Sequence, residues 1–238
     1  MKFKRFTKYL INIIILVLAV AFVVKFAGPN ILRQYISFGI GDCKSIPILC
    51  LQPEENIFRP QIDKEYVETL VPQNFPRMSV AVPKGFNLIQ ELIKRNYYKK
   101  RHSGNQAVIY LLHQDPGAFI KLYPDVQKQG VKDNAEFINR LVNANLSKVN
   151  TITDALFIIL KSVFTPDLGN QGIVRIIKFQ IQDKKGFISY QLAKPNNYFE
   201  CNVLDEKDNF FKIYIKDIGS RLDLNQVFGI ISTLKTIN

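Results

Sequence analysis

Three cysteines and two histidines limit the chemistry open to this chain. Cys201, His113 and Asp115 are the one set that could be written as nucleophile, base and orienting acid. Cys201 alternates with Phe199 and Val203, which puts it on the buried face of a strand, where a thiol packs as a small apolar group and is inert. His113 reads more simply as a strand-end residue beside a turn. Cys43 and Cys50 bracket Lys44-Ser45-Ile46-Pro47-Ile48-Leu49. A bridge between them would close a ring worth about 2.5 kcal/mol in loop entropy. Two free buried thiols are the alternative. A closed zinc site needs four ligands, and no second pair of cysteines or neighbouring histidines supplies them. A catalytic dithiol usually has two residues between its sulfurs, not this many. The expectation is a Cys43–Cys50 disulfide, a free buried Cys201, and no metal.

Two further patterns could bind rather than react. Lys94, Arg95, Lys99, Lys100, Arg101 and His102 form the densest basic run, with Tyr97 and Tyr98 inside it. Cations interleaved with aromatics suit phosphates and stacked bases. The same run also reads as the solvated end of a helix and its loop. Ala155-Leu156-Phe157-Ile158-Ile159-Leu160 is apolar on every side of a helix. Such a helix is either fully buried or an interface, and Phe157, Ile158 and Ile159 are the candidate docking residues. Asn145-Leu146-Ser147 is a glycosylation sequon, relevant only in a eukaryotic secretory pathway. The chain lacks the phosphate-binding, dinucleotide, metalloprotease, nucleophile-elbow and haem-attachment signatures, so no cofactor is expected.

The elements that would carry these residues are legible in the periodicity. From residue 177, Ile177, Phe179 and Ile181 alternate with Lys178, Gln180 and Gln182; Ile188, Tyr190 and Leu192 follow after Asp183-Lys184-Lys185-Gly186. Phe199, Cys201 and Val203, then Phe211, Ile213 and Ile215, repeat the pattern. Period-two alternation with short turns predicts an antiparallel meander over residues 173–216. Residues 107–113 and 118–123 flank Gln114-Asp115-Pro116-Gly117 and predict a hairpin. Asp133 with Glu136, Thr151 with Asp154, and Asp223 with Gln226 mark helix starts. Short helices are expected over residues 30–38 and 63–71. The fold class is α+β, an antiparallel sheet covered by helices.

Ser79-Val80-Ala81-Val82-Pro83-Lys84-Gly85-Phe86, the late meander, and Ile230-Ile231-Ser232-Thr233-Leu234-Lys235 together resemble the Mog1/PsbP family over residues 78–235. That family's α/β/α sandwich opens with a strand and a Pro-x-Gly-aromatic turn and closes with such a helix. The resemblance implies a docking domain without catalysis. Its partners differ between members, so no binding residue is carried over. The chain departs from the family at Phe86, where Trp is frequent, and in having two mid-domain helices where one is usual.

Charge and hydropathy suggest the layout. The formal net charge is +12. Lys2, Lys4, Arg5, Lys8 and Lys25 lie in the first 27 residues without one acid. Residues 10–24 carry no charge, and Lys25 could snorkel to extend the stretch to 27. This predicts a basic cytoplasmic tail (1–9), a transmembrane anchor (10–27), a proline-rich arm (28–77) and an extracytoplasmic domain (78–238). The arm holds Pro29, Pro47, Pro53, Pro60, Pro72 and Pro76, which disfavour long helices. The expectation is a single-pass protein of a bacterial cytoplasmic membrane, N-terminus inside and C-terminal domain periplasmic or extracellular. Its domain would bind or position a protein partner without catalysis, next to membrane lipid. A module for anionic lipid or polyanions, with nucleic acid excluded by location, is the alternative. A thiol enzyme is the third reading.

Overall fold

A computed structural model describes residues 27–94, 97–104, 107–164, 174–193, 196–219 and 222–237. The chain is α+β, and its contacts divide it into two compact units. One comprises the described part of Met1–Cys50 with Ala144–Val163, the other Leu51–Asn143 with Phe164–Asn238.

The first unit is built on two helices of 13 residues, α1 (Gly28–Ile40) and α6 (Ile152–Phe164, which leaves this unit after Val163). Pro29 sits in the first turn of α1, where a missing N–H costs nothing, and Gly41 at φ +121° lets the chain leave it. At the start of α6, Asp154 N–H donates to Thr151 Oγ1 at 3.1 Å and Thr151 N–H donates to Asp154 Oδ2 at 2.9 Å. This is the reciprocal cap the sequence predicts. The helices share a small core of Ile36, Leu49, Leu146, Val149, Ala155 and Ile158.

The second unit holds an eight-stranded sheet. Its strands are β1 (Ile57–Phe58), β4 (Asn87–Lys94), β5 (Tyr97–Gly104), β6 (Ala107–Gln114), β7 (Val174–Ile181), β8 (Lys184–Ala193), β9 (Asn196–Leu204) and β10 (Phe210–Ile218). Their order is β1-β7-β8-β9-β10-β6-β5-β4. The meander β7–β10 lies where the alternation places it, with Cys201 opposite Ile188 and Ile213. A small antiparallel sheet of β2 (Val71–Asn74), β3 (Met78–Val82) and β11 (Lys235–Thr236) has the order β11-β3-β2. One face of the large sheet buries Ile177, Phe199, Cys201 and Ile213 in a common core with Val80, Val227 and Phe228. Those last two lie on α7 (Leu224–Ser232), which opens with a complete Asp223/Gln226 capping box. The remaining helices are α2 (Lys64–Thr69), α3 (Ala118–Leu122), α4 (Pro124–Lys128) and α5 (Asn134–Asn143). On the opposite sheet face Phe119 of α3 meets Phe210 edge-on at 5.0 Å and stacks on Phe137 of α5 at 4.5 Å.

Three expectations are corrected. No helix among the described residues is long and apolar enough to cross a membrane. At 13 residues α1 and α6 span only about 20 Å each, against roughly 30 Å of hydrocarbon. The anticipated anchor, residues 10–27, lies outside the described residues apart from Ala27. The transmembrane element of the fold class, and the single-pass location derived from it, are therefore withdrawn. Second, the sheet is mixed: β1 runs parallel to β7, pairing Ile57 with Lys178 and Phe58 with Phe179. Third, residues 118–123 do not return as a strand. Gly117 at φ +67° turns the chain into α3, and β6 pairs with β5 and β10 instead. Ala118, Phe119 and Leu122 have helical spacing, which outweighs the turn signature.

Candidate functional site

Helix α6 separates its apolar side chains into two sets. Ile158 is 0% exposed, and Phe157 and Leu160 are also buried. Ile159 is 45% exposed, Val163 74% and Ile152 83%. At about 100° per residue, Ile152, Ile159 and Val163 fall within an arc of about 60°. Half-buried Leu156 lies in the same arc. Of the three candidate docking residues, then, Ile159 faces out while Phe157 and Ile158 belong to the interior. Within the same unit, α1 turns Leu32, Ile36 and Ile40 inward and leaves Ile31, Tyr35 and Phe38 exposed at the same spacing. Single exposed apolar residues are ordinary; rows at helical spacing on two helices are not.

The unit that presents these rows is fastened at several points. Cys43 and Cys50 form a disulfide with their Cα atoms 5.6 Å apart. Asp42 Oδ1 accepts from Lys44 N–H at 3.1 Å and Ser45 N–H at 2.8 Å, which curls the ring between them. The sequon residue Asn145 donates its Nδ2 to Cys50 O at 2.9 Å. Arg33 of α1 donates Nε to Val149 O and Nη2 to Asn150 Oδ1, each at 2.9 Å, tying α1 to the segment that leads into α6.

Beneath the outer row lies Lys161, which sequence reading passed over. It is buried and donates Nζ to Ala144 O at 2.7 Å. Burial pushes its ammonium down to about 7, because the charged form loses its hydration. A signal was present in the sequence: Lys161 stands three residues after Ile158, on the inward side of the helix.

The basic run forms a β-hairpin rather than a helix end. Register puts Lys94, Lys99 and Arg101 at positions of one sheet face and Lys100, opposite Glu91, at a position of the other. Arg95 lies outside the described residues. Arg101 sets its guanidinium carbon 5.2 Å from the centroid of Tyr110, whose ring stands 6.1 Å from that of Tyr214. On the same face, buried Glu200 accepts from Lys212 Nζ at 2.9 Å and from Asn202 Nδ2 at 3.3 Å. Sequence alternation marks Glu200 as non-core but gives no sign that its face is also covered.

The thiol triad does not assemble. Cys201 is fully buried, and burial pushes its thiol well up. His113 pairs with Phe211, which pairs with Val203, so Cys201 lies two strands and two residues away. That is about 12 Å from strand spacing alone. Burial lowers the His113 imidazole, and its neighbour Asp115 is held by Arg77 at 2.5 Å. No group of three or more His, Cys, Asp or Glu side chains among the described residues is placed to hold a metal. Neither a protein-family model nor a curated protein matches the chain.

Proposed function

We propose that this chain is a non-enzymatic docking protein, and that α6 receives a protein partner along Ile152, Ile159 and Val163. The observation that carries the reading is that row: large aliphatic side chains exposed at helical spacing, on a helix that buries Ala155, Phe157, Ile158, Leu160 and Lys161. Burial of such a row on binding is favourable by about 25 cal/mol per Å² of apolar surface. An amphipathic partner helix or an apolar loop is the complementary surface. The basic hairpin supports a second surface less well, because its lysines divide between two sheet faces.

The test separates interior from interface on one helix. Ile159→Asp and Val163→Asp change stability by about 0.5 kcal/mol, as surface charges do. Ile158→Asp buries an unpaired charge and unfolds the unit. A photocrosslinking residue at position 163 captures a discrete partner that Ile159→Asp abolishes, while the same residue at exposed Lys148 captures none. Equal capture at 148 and 163, or capture indifferent to Ile159→Asp, would refute the docking surface.

A further inference from the structure

The second unit contains a cleft that the docking reading does not use. It is a cavity of about 320 Å³ beside α5, along β7 and β8. Phe187 and Leu204 from the sheet, Ala135 from α5 and Ile57 from β1 give it an apolar lining. Lys178 and Lys185 also line it, and no lining residue is acidic. Arg59 reaches the same rim by donating Nη2 to Gln180 Oε1 at 3.5 Å.

Neither lysine is neutralised by an ion pair among the described residues. The nearest acid in sequence on α5, Glu136, is already held by Arg140 at 2.8 Å and by Lys132 N–H at 3.1 Å. An apolar lining edged by uncompensated cations fits one chemical class: a small molecule with a hydrophobic body and an anionic head. Pairing the head with lysine at a half-desolvated rim adds to burial of the body.

The volume sets the size. At roughly 30 Å³ per water-sized group, the cavity holds a ligand of roughly ten non-hydrogen atoms. The topology argues against a peptide. An extended peptide would dock by adding a strand to β7, and β1 already occupies that edge beside the cleft, at Lys178 and Phe179. We infer that the cleft bounded by Ala135, Phe187, Leu204, Lys178 and Lys185 binds a medium-chain carboxylate, with the acyl chain on the apolar lining and the carboxylate between the lysines.

The probe is octanoate, with octanol as its uncharged counterpart, titrated into the full chain. Methyl resonances of Ala135, Leu204 and Ile57 report the site. Octanoate shifts these methyls in a saturable way and binds at least tenfold more tightly than octanol. Lys178→Gln with Lys185→Gln, both outside the core, weakens octanoate at least tenfold and leaves octanol unchanged. Ala135→Phe fills the cleft and blocks both; should that variant fail to fold, the lysine pair still decides. Octanol binding as tightly as octanoate would overturn the anionic assignment. Shifts confined to other methyls, or saturation unaffected by the lysine substitutions, would overturn the site.

Discussion

Lys161 and Glu200 show two ways of keeping a charge indoors. Glu200 has Lys212 against it at 2.9 Å. Such a pair adds little net stability but is costly to break, because removing one partner strands the other. Lys161 is held by the carbonyl of Ala144 and sits at about 7 instead of the ordinary 10.5. The pH dependence follows from that difference. Below pH 7 the lysine is charged in both the folded and the unfolded chain, so its penalty is constant. Between about 7 and 10.5 the unfolded chain keeps a proton that the folded chain has shed. Stability therefore rises with pH across that window, by at most about 1.4 kcal/mol per unit. It levels off above 10.5, where both states are neutral. Lys161→Met removes this contribution. Urea midpoints of α6 unfolding at pH 7 and pH 9 test it: the original protein gains stability relative to Lys161→Met on going to pH 9. Parallel behaviour of the two proteins would show that the ammonium is hydrated.

At the scale of elements, Asp208 does more than close a turn. It sits at φ +64° between β9 and β10, and its carboxylate accepts from Asn134 N–H and Ala135 N–H, each at 2.9 Å, and from Gly117 N–H at 3.3 Å. One side chain thus caps α5 from a distant strand turn and steadies the entry to α3. Asp208→Ala strands these donors and strains the backbone, for a loss of about 2 to 4 kcal/mol. Asp208→Asn tolerates the same φ and keeps one acceptor, so it loses less. Chemical denaturation ranks the three proteins, and equal stability of Ala and Asn would show that neither the retained acceptor nor the tolerance of positive φ counts. No local pattern announces this cap, since Asp208 is 74 residues from Asn134. What was legible was local. Most of the run from Ile177 to Ile215 alternates apolar with polar residues, and the partners of three helix caps stand three residues apart, so β7–β10, α5, α6 and α7 could be read directly. The hairpin β4–β5 was hidden because Lys94, Lys99, Lys100 and Arg101 mask strand periodicity with charge. β1 has two residues, too few to carry a period. The run from Ala155 to Leu160 offered no polar residue to mark its outer face, and only packing divides Ile158 from Ile159.

At the scale of the whole molecule, a large and a small core among the described residues are each drawn from interleaved segments. The large core draws on residues from Leu70 to Leu234, and the small one on Ile36 to Ile158. Among the described residues the small core contains six buried ones, flanked by Leu32, Ile40, Cys43, Ile46, Cys50 and Ala144. A covalent constraint beside such a core adds to what burial provides. The Cys43–Cys50 bridge supplies one. It closes the ring directly after α1, and Asn145 binds Cys50 O at 2.9 Å on the approach to α6. Replacing both cysteines with serine restores to the unfolded chain about 2.5 kcal/mol of loop entropy. If the small core opens as its own unit, that loss is read there alone. Hydrogen exchange resolves the question by position. In Cys43→Ser with Cys50→Ser, amides of α1 and α6 exchange roughly seventyfold faster, which is 2.5 kcal/mol expressed as an opening constant. Amides of β9 and β10, central in the large sheet and remote in sequence from the bridge, keep their original rates. Equal acceleration in β9 and β10 would mean that the two cores melt together, so that the bridge stabilises the entire chain. Unchanged exchange in α1 and α6 would mean that Arg33, Asn145 and the shared apolar contacts suffice without it.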